Sequence, residues 1–210
     1  MKPLSAFYSR VLPFLPGCPE PIADQALLSA AIEFAESSLV LRQDLDPFYS
    51  VTGYAQYDLE PPTTYHDITR VLGVTVGADE LQPGLAETIR GSLPTASATP
   101  TLFYTSRADN CMSLFLSPPP DKAQLVVVNA ALRPKQDTTH LDDDLYNQWI
   151  EPIVAGAIAR AMQIPDQAYT NFARAQELLM LAARRTKTAR IEGMYGRVRG
   201  SMRVQPRPFA

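Results

Sequence analysis

Apolar residues recur every three or four positions toward both ends of the chain and alternate with polar residues in its middle. The first spacing is typical of a helix with one buried face, and the second of a strand with one buried face. Near the N-terminus, the helical spacing predicts a helix over residues 21–41, whose alanines favour close helix packing. A shorter helix is predicted over 5–12, closed by Pro13.

The helical spacing returns after Pro134. An acidic triplet at 142–144 precedes an apolar stripe, and acids favour the first turn of a helix because its N–H groups lack partners. Pro152 then predicts a kink or a division into two helices. A last helix is predicted over about 167–192, and its final turns carry basic residues.

The alternating middle of the chain predicts antiparallel strands, because the connections are too short for parallel crossovers. The predicted features are a hairpin across Thr52 and Gly53, a strand over 68–76 that turns at Gly77, a short helix over 85–92, a hairpin around 106–110 and a strand over 125–128. Helices that are remote in sequence must meet, so the sheet is predicted to be an insertion within one helical bundle.

The predicted fold class is therefore α+β: a helical bundle with an inserted antiparallel β domain and an extended C-terminal arm. We assign the N-terminal helices of the bundle to residues 1–45 and the β domain to 46–133. The C-terminal helices follow at 134–192, and the arm occupies 193–210.

Composition limits the class of protein. With 210 residues and a hydrophobic content of 46%, the chain has enough apolar surface to bury a core. No stretch reaches the roughly 20 apolar residues of a membrane helix, and the start lacks a secretion-signal pattern. We therefore expect synthesis in a cytoplasm and no membrane partner. Cys18 and Cys111 lie far apart without ligand-type neighbours, so we expect buried thiols rather than a disulfide or a metal site.

Charge is unevenly distributed along the chain. Residues 184–210 hold eight basic residues and one acid, a net charge of +7, whereas the remainder carries −10. An acidic body with a basic end indicates two different contact surfaces, one of which favours a negatively charged partner.

The sequence offers little for catalysis. His66 and His140 stand apart from each other and from any nucleophile motif, and no phosphate-binding loop is present. The triplet at 142–144 fits helix capping better than metal binding, because consecutive helical residues point in different directions. We therefore predict no catalytic residues, no cofactor and no metal. A hydrolase with a dispersed site around either histidine remains an alternative.

The C-terminal arm is the most informative segment. It cannot bury enough apolar surface to fold alone, so it either stays mobile or becomes ordered on a partner. Its apolar residues are spaced as in an extended segment held in a protein groove. Its alternative interpretations are a solvated end or a DNA-binding arm. The candidate contact residues are Arg190, Tyr195, Arg197, Val198, Arg199, Met202, Arg203, Val204, Arg207 and Phe209.

Seven segments stand out for their order along the chain. The first two are VLPFLPGCP at 11–19 and AAIEF at 30–34. The others are DLDP at 44–47, YDL at 57–59, LFLSPPPD at 114–121, ALRP at 131–134 and IVAGAIAR at 153–160. Together they resemble, over nearly the whole chain, the bacteriophage head-to-tail adaptor (connector) proteins of short-tailed and related phages.

This resemblance implies a virion structural protein at the portal vertex between head and tail, made in a bacterial host. It implies a dodecameric ring beneath the portal protein, with the arm in the clip region of the portal and DNA passing transiently through the channel. The β domain would face the tail nozzle or the next neck component. The family has no catalytic residues to carry over. Alternatives are a neck stopper or tail-completion protein, and a nucleic-acid-binding protein that uses the arm.

Overall fold

A computed structural model describes residues 1–85, 97–108 and 111–195. It contains both helices and largely antiparallel sheets, which confirms the predicted α+β class. The helices are α1 (Tyr8–Val11), α2 (Glu20–Ser38), α3 (Asp143–Gln148), α4 (Ile150–Met162) and α5 (Phe172–Tyr195). The 3-10 turns Leu4–Phe7 and Leu12–Phe14 flank α1, and we call residues 4–14 the N-terminal segment.

The strands of the N-terminal half are β1 (Lys2–Pro3), β2 (Arg42–Asp44), β3 (Phe48–Tyr49), β4 (Gln56–Leu59), β5 (His66–Val76), β6 (Asp79–Glu80) and β7 (Gln82–Pro83). The later strands are β8 (Leu102–Ala108), β9 (Cys111–Ser117), β10 (Leu125–Pro134) and β11 (His140–Leu141). β1 pairs with β11 and so fastens the N-terminus beside the start of α3.

The helices share one apolar core, with α4 at its centre. Ten of the thirteen residues of α4 are buried, and α2, α5 and the N-terminal segment pack around it. The helices α2 and α4 approach closely at Gly156, where an added Cβ would stand 3.3 Å from the Cβ of Ala30. Small residues at this crossing let the two backbones come together, as the alanines of the sequence predict.

Helix ends differ from the predicted ones for local reasons. α2 stops at Ser38 because Leu39 takes a left-handed conformation with φ 53°. Of the two outcomes predicted for Pro152, the division into two helices is found: the chain breaks at Trp149, and Pro152 lies in the first turn of α4, where a missing N–H costs nothing. α5 begins at Phe172 rather than 167, since Asn171 Oδ1 accepts the N–H of Arg174 at 3.0 Å and caps the helix.

Apart from β1 and β11, the strands form two sheets that enclose a second apolar core. In one sheet the order is β2-β10-β5-β6, with β3 also paired to β10. In the other the order is β4-β9-β8-β7. The turn from β5 into β6 at Gly77, the β8–β9 pair and the strand at 125–128 are confirmed, although that strand extends to Pro134.

Two predictions for this region are wrong. Instead of a hairpin across Thr52 and Gly53, β3 pairs with β10 and β4 with β9, so residues 50–55 cross from one sheet to the other. Part of this crossing is hydrogen-bonded to the loop before β10, where Gly53 N donates to Pro120 O at 2.8 Å. The β7–β8 pair is parallel rather than antiparallel. The predicted helix at 85–92 lies almost entirely outside the described residues.

Helices and sheets meet along α2 and β10. Leu41 packs against both cores, and the N–H of Leu132 donates to its carbonyl at 2.8 Å. Arg133 of β10 forms an ion pair with Glu36 of α2. The C-terminal end of α5 reaches the same place, since a Cβ on Gly193 would stand 3.5 Å from Val40 Cγ1. The division of the chain into domains stays a prediction, although β2 already belongs to the sheet before residue 46.

Candidate assembly interface

Helix α5 packs against the body through one face only. Its inward residues include Ala175 and Ala189, which are fully buried, and Leu179, which packs on the helical core. These positions recur with the period of an α-helix, so the opposite face must point away from α2 and α4.

That opposite face carries Met180, Arg184, Lys187, Ile191 and Met194, spaced four and three residues apart, with Lys187 at its edge, beside the cleft to α2. We call these five residues the outward stripe. Its three large apolar side chains are 63%, 53% and 58% exposed, in chain order. Exposed apolar residues that line up on one helix face mark a contact surface more often than scattered ones do.

The cations of this region lack partners. Arg184, Lys187 and Arg190 have no carboxylate within ion-pair distance among the described residues, whereas Arg185 pairs with Glu151 at 3.3 Å and Arg174 with Glu177 at 2.6 Å. Like charges one turn apart repel each other. The outward stripe therefore favours a partner that is both acidic and apolar.

A groove of about 480 Å³ runs between the N-terminal segment, α4 and α5. Apolar side chains dominate its lining, among them Phe14, Ile150, Val154 and Leu178. On the other side of α5, a cleft of about 300 Å³ separates it from α2, with Arg160 and Lys187 at its edge. α5 is thus a raised ridge with accessible surface on both sides.

A second exposed apolar surface lies at the far end of the β sandwich. Tyr49, Val51, Tyr54 and Leu125 are all exposed, and we call them the distal patch. β10 runs ten residues from Leu125 to the helices, or about 30 Å.

The backbone of the distal patch is tightly held. Ser50 is buried, its N–H donates to Gln124 O at 2.8 Å and its hydroxyl to Lys122 O at 3.1 Å. Tyr57 Oη accepts the N–H of Val51 at 2.9 Å and donates to Tyr54 O at 2.8 Å. Burial raises the pKa of the Tyr57 phenol, so it keeps the proton that it donates. The patch is thus pre-organised for contact.

Few of the predicted arm residues can be located. Arg190 lies exposed on α5, and residues 193–195, which we assigned to the arm, form the last turn of that helix. Arg197, Val198, Arg199, Met202, Arg203, Val204, Arg207 and Phe209 lie outside the described residues. Neither the outward stripe nor the distal patch was predicted from the sequence. The stripe had a signal, since its five positions keep helical spacing, but the inward apolar stripe of α5 masked it.

His66 is the most chemically suggestive side chain. It is 5% exposed, its Nδ1 lies 2.6 Å from Thr63 Oγ1, and its Nε2 lies 2.7 Å from Asp142 Oδ2. In nucleophile triads, Nε2 faces the hydroxyl and Nδ1 the carboxylate. Here the two nitrogens are exchanged and the imidazole is buried. The arrangement is therefore a polar clamp between β5 and the start of α3 rather than a hydrolase site.

The acidic triplet has three separate roles. Asp142 occupies the N-cap position of α3, but its carboxylate binds His66 and makes no capping hydrogen bond, so that part of the capping prediction is wrong. Asp143 accepts from the Met1 ammonium at 2.9 Å, and this hydrogen bond holds the pKa of the carboxyl below its usual value. Asp144 lies exposed in the first turn of the helix.

In the parts of the chain that the structure describes, no group of three or more His, Cys, Asp or Glu side chains is arranged to hold a metal ion. Cys18 is partly exposed and Cys111 exposed, so the expectation of buried thiols is wrong. None of the described helices combines the length and apolar character that crossing a membrane requires.

Comparison with known proteins gives one family. Residues 4–205 match the family described as SU10 adaptor protein. No curated protein gives a significant match to the chain.

Proposed function

Because the chain belongs to the SU10 adaptor protein family, we propose that it forms a ring between the portal and the tail of a bacteriophage and leaves a channel for DNA. The membership confirms the predicted resemblance to bacteriophage head-to-tail adaptors, and a structural adaptor role follows from it. The extent of the match carries the proposal, since it includes the helices, both sheets and most of the C-terminal segment.

Ring formation is supported by the unequal surfaces of the molecule. A closed ring of identical subunits uses two different complementary flanks on every copy. The helical part offers a basic, partly apolar ridge on α5, while the rest of the described chain is acidic. The ring of the proposal has twelve copies, as the family resemblance implies.

Binding to the portal is assigned to the C-terminal arm. The fifteen residues from 196 to 210 contain Arg197, Arg199, Arg203 and Arg207 and no acid, and they follow directly on α5. A short basic segment with interspersed apolar residues favours a groove with carboxylates at its rim. Repetition around a ring would turn modest single contacts into a durable joint.

The distal patch is assigned to the tail nozzle or the next neck component. It lies at the end of the β sandwich that is remote from the helices, so one molecule could contact both neighbours at once. Its tyrosines combine apolar area with hydrogen-bonding tips, a composition that is enriched at protein interfaces.

DNA passes through such a ring without lasting adhesion. The acidic excess of the body supports a lumen lined with carboxylates, which repel the phosphates of the DNA. A ring whose lumen is neutral or basic would contradict this part of the proposal.

The portal contact is tested by a chain that ends at Tyr195. This truncation keeps all of α5, including Ala189 and Gly193, which pack on the body. We expect the shortened chain to unfold at the same temperature as the full chain and to lose co-sedimentation with purified portal rings. Undiminished portal binding by a folded, truncated chain would refute the assignment to the arm.

The same assay separates the alternatives. A neck stopper or tail-completion protein would not bind bare portal rings and would bind only to rings that already carry an adaptor. A nucleic-acid-binding protein would bind random DNA through the arm, with an affinity that falls steeply as salt rises. The adaptor proposal expects weak DNA binding that does not change when the arm is removed.

A further inference from the structure

The outward stripe of α5 has no covering element among the described residues. It combines three exposed apolar side chains with Arg184 and Lys187, whose charges are uncompensated. Exposed methionine and isoleucine side chains gain free energy when they leave water, and cations gain it when a carboxylate approaches. The stripe is therefore incomplete without a partner.

Charge indicates which partner fits. In the described part of the chain, α5 holds five basic and two acidic side chains, whereas everything outside α5 holds nine basic and eighteen acidic ones. A second copy of the chain thus brings an acidic surface toward a basic helix. Since the proposed ring places identical copies side by side, a neighbouring copy is also the partner at the highest local concentration.

The outward face of α2 has the complementary chemistry. α2 is buried along Ala23, Leu27, Ala31 and Phe34, so its opposite side faces away from the body. A shallow groove of about 450 Å³ lies there, lined by Leu28, Ile32, Glu33 and Glu36 of α2, by Arg160 of α4 and by Gln136 from the segment after β10.

Both carboxylates of this groove can take another cation. Glu33 pairs with Arg160 and Glu36 with Arg133, yet both glutamates remain exposed. A carboxylate has about four acceptor sites, so one ion pair does not saturate it. Leu28 and Ile32, one helical turn apart, are partly exposed beside these charges.

We propose that the outward stripe of α5 in one copy packs antiparallel against the outward face of α2 in the next copy. Arg184 then lies opposite Glu36, and Lys187 opposite Glu33. Both pairs are three residues apart along their helices, a rise of about 4.5 Å in each. In the same register, Ile191 lies opposite position 29, between Leu28 and Ile32, and Met194 lies opposite position 26. The inference rests on the proposed ring and names the surfaces that close it.

Charge reversal with complementation tests the contact. One variant carries Arg184→Glu and Lys187→Glu, and a second carries Glu33→Lys and Glu36→Lys. Each reversed helix face repels its unchanged counterpart, so each variant alone should self-associate at least about tenfold more weakly than the unaltered chain. In an equimolar mixture, the acidic α5 of the first variant fits the basic α2 of the second. The unchanged α5 of the second variant likewise fits the unchanged α2 of the first. Association should then return.

Self-association is measured by sedimentation velocity up to about millimolar concentration. Arg70→Glu with Lys122→Glu is the matched control, because it makes the same change in net charge at two exposed residues of the β sandwich. Thermal unfolding checks that every variant is folded. If the Lys substitutions at 33 and 36 unfold the chain by opposing Arg160 and Arg133, Glu33→Gln with Glu36→Gln replaces them, and weaker association alone is then the expected result.

The proposal is overturned if the unaltered chain stays monomeric, if the control weakens association as much as the stripe variant, or if the mixture fails to recover. Portal binding is followed in parallel, since the arm is intact in all variants. Retained portal binding with failed complementation would reject this contact and leave the adaptor role standing. If association is restored in the mixture but none of the chains binds the portal, the contact between copies stands and the portal-binding role is rejected.

Discussion

Replacing Phe7 with alanine tests whether the N-terminal segment is an integral part of the helical core. Phe7 is 0% exposed, and its ring meets Tyr146 of α3 edge-on, with centroids 5.1 Å apart and planes at 87°. Truncating a buried Phe costs about 3–5 kcal/mol, because apolar contacts are lost and a cavity remains. For a chain of this length, 1 kcal/mol shifts the melting temperature by about 2–4 °C, so we expect a fall of about 6–20 °C.

Phe14→Ala is the control, since it makes the same chemical change seven residues later on a side chain that is 57% exposed. It should cost less than about 1 kcal/mol. Urea unfolding at constant pH measures both free energies, and calorimetry gives the two melting temperatures. Equal effects of the two substitutions, or a loss below about 1 kcal/mol at Phe7, would refute the placement of this segment in the core.

Two further experiments test polar contacts. Tyr8 donates to Asp24 Oδ1 at 2.8 Å, and burial with this carboxylate raises the pKa of its phenol to about 12. The folded state thus keeps a proton that the unfolded chain loses near pH 10, so the contribution is complete below pH 10 and lost as pH rises toward 12. Tyr8→Phe should lower the free energy of unfolding by about 1 kcal/mol at pH 7, as measured with urea. Between pH 10 and about pH 12, the difference in stability between the variant and the unaltered chain should vanish or change sign. A difference that stays constant over this pH range would contradict the reasoning. At the His66–Asp142 clamp, a double-mutant cycle with alanine should give a coupling free energy of about 0.5–3 kcal/mol. The control is Asp144→Ala, next to the clamp, which should change the free energy of unfolding by less than about 0.5 kcal/mol. A coupling of zero would mean that the clamp contributes nothing to stability.

Periodicity predicted the type and order of the long elements because burial on one face leaves a repeating pattern. It succeeded for α2, for β5 and for the β8–β9 hairpin. It placed helix ends less well, because these depend on single residues such as Leu39 in a left-handed conformation and Asn171 as a cap. Neither leaves a repeat in the sequence.

Strand pairing shows the other limit. A short polar turn at Thr52 and Gly53 between alternating segments is typical of a hairpin, but β3 and β4 join different sheets. Their true partners, β10 and β9, come much later in the chain, and local pattern does not reveal such distant pairing. The clamp between His66 and Asp142 joins residues 76 positions apart and was missed for the same reason.

The candidate interface was also predictable only where it depends on local sequence and not on tertiary contacts. Net charge pointed to the C-terminal end of the chain, because charge is visible without a structure. The outward stripe needed knowledge of which face of α5 is buried, and the distal patch needed the tertiary contacts that hold residues 50–57 in place. The arm assignment remains a prediction, carried by composition and by the family to which the chain belongs.

The end of α5 beside Val40 sets a geometric limit on everything that follows it. Phe209 lies fourteen residues after Tyr195, and a fully extended chain spans at most about 3.3–3.6 Å per residue. A groove that receives Phe209 must therefore lie within about 50 Å of the seam where helices meet sheets. Any docking pose that places Phe209 outside that sphere is ruled out by covalent geometry.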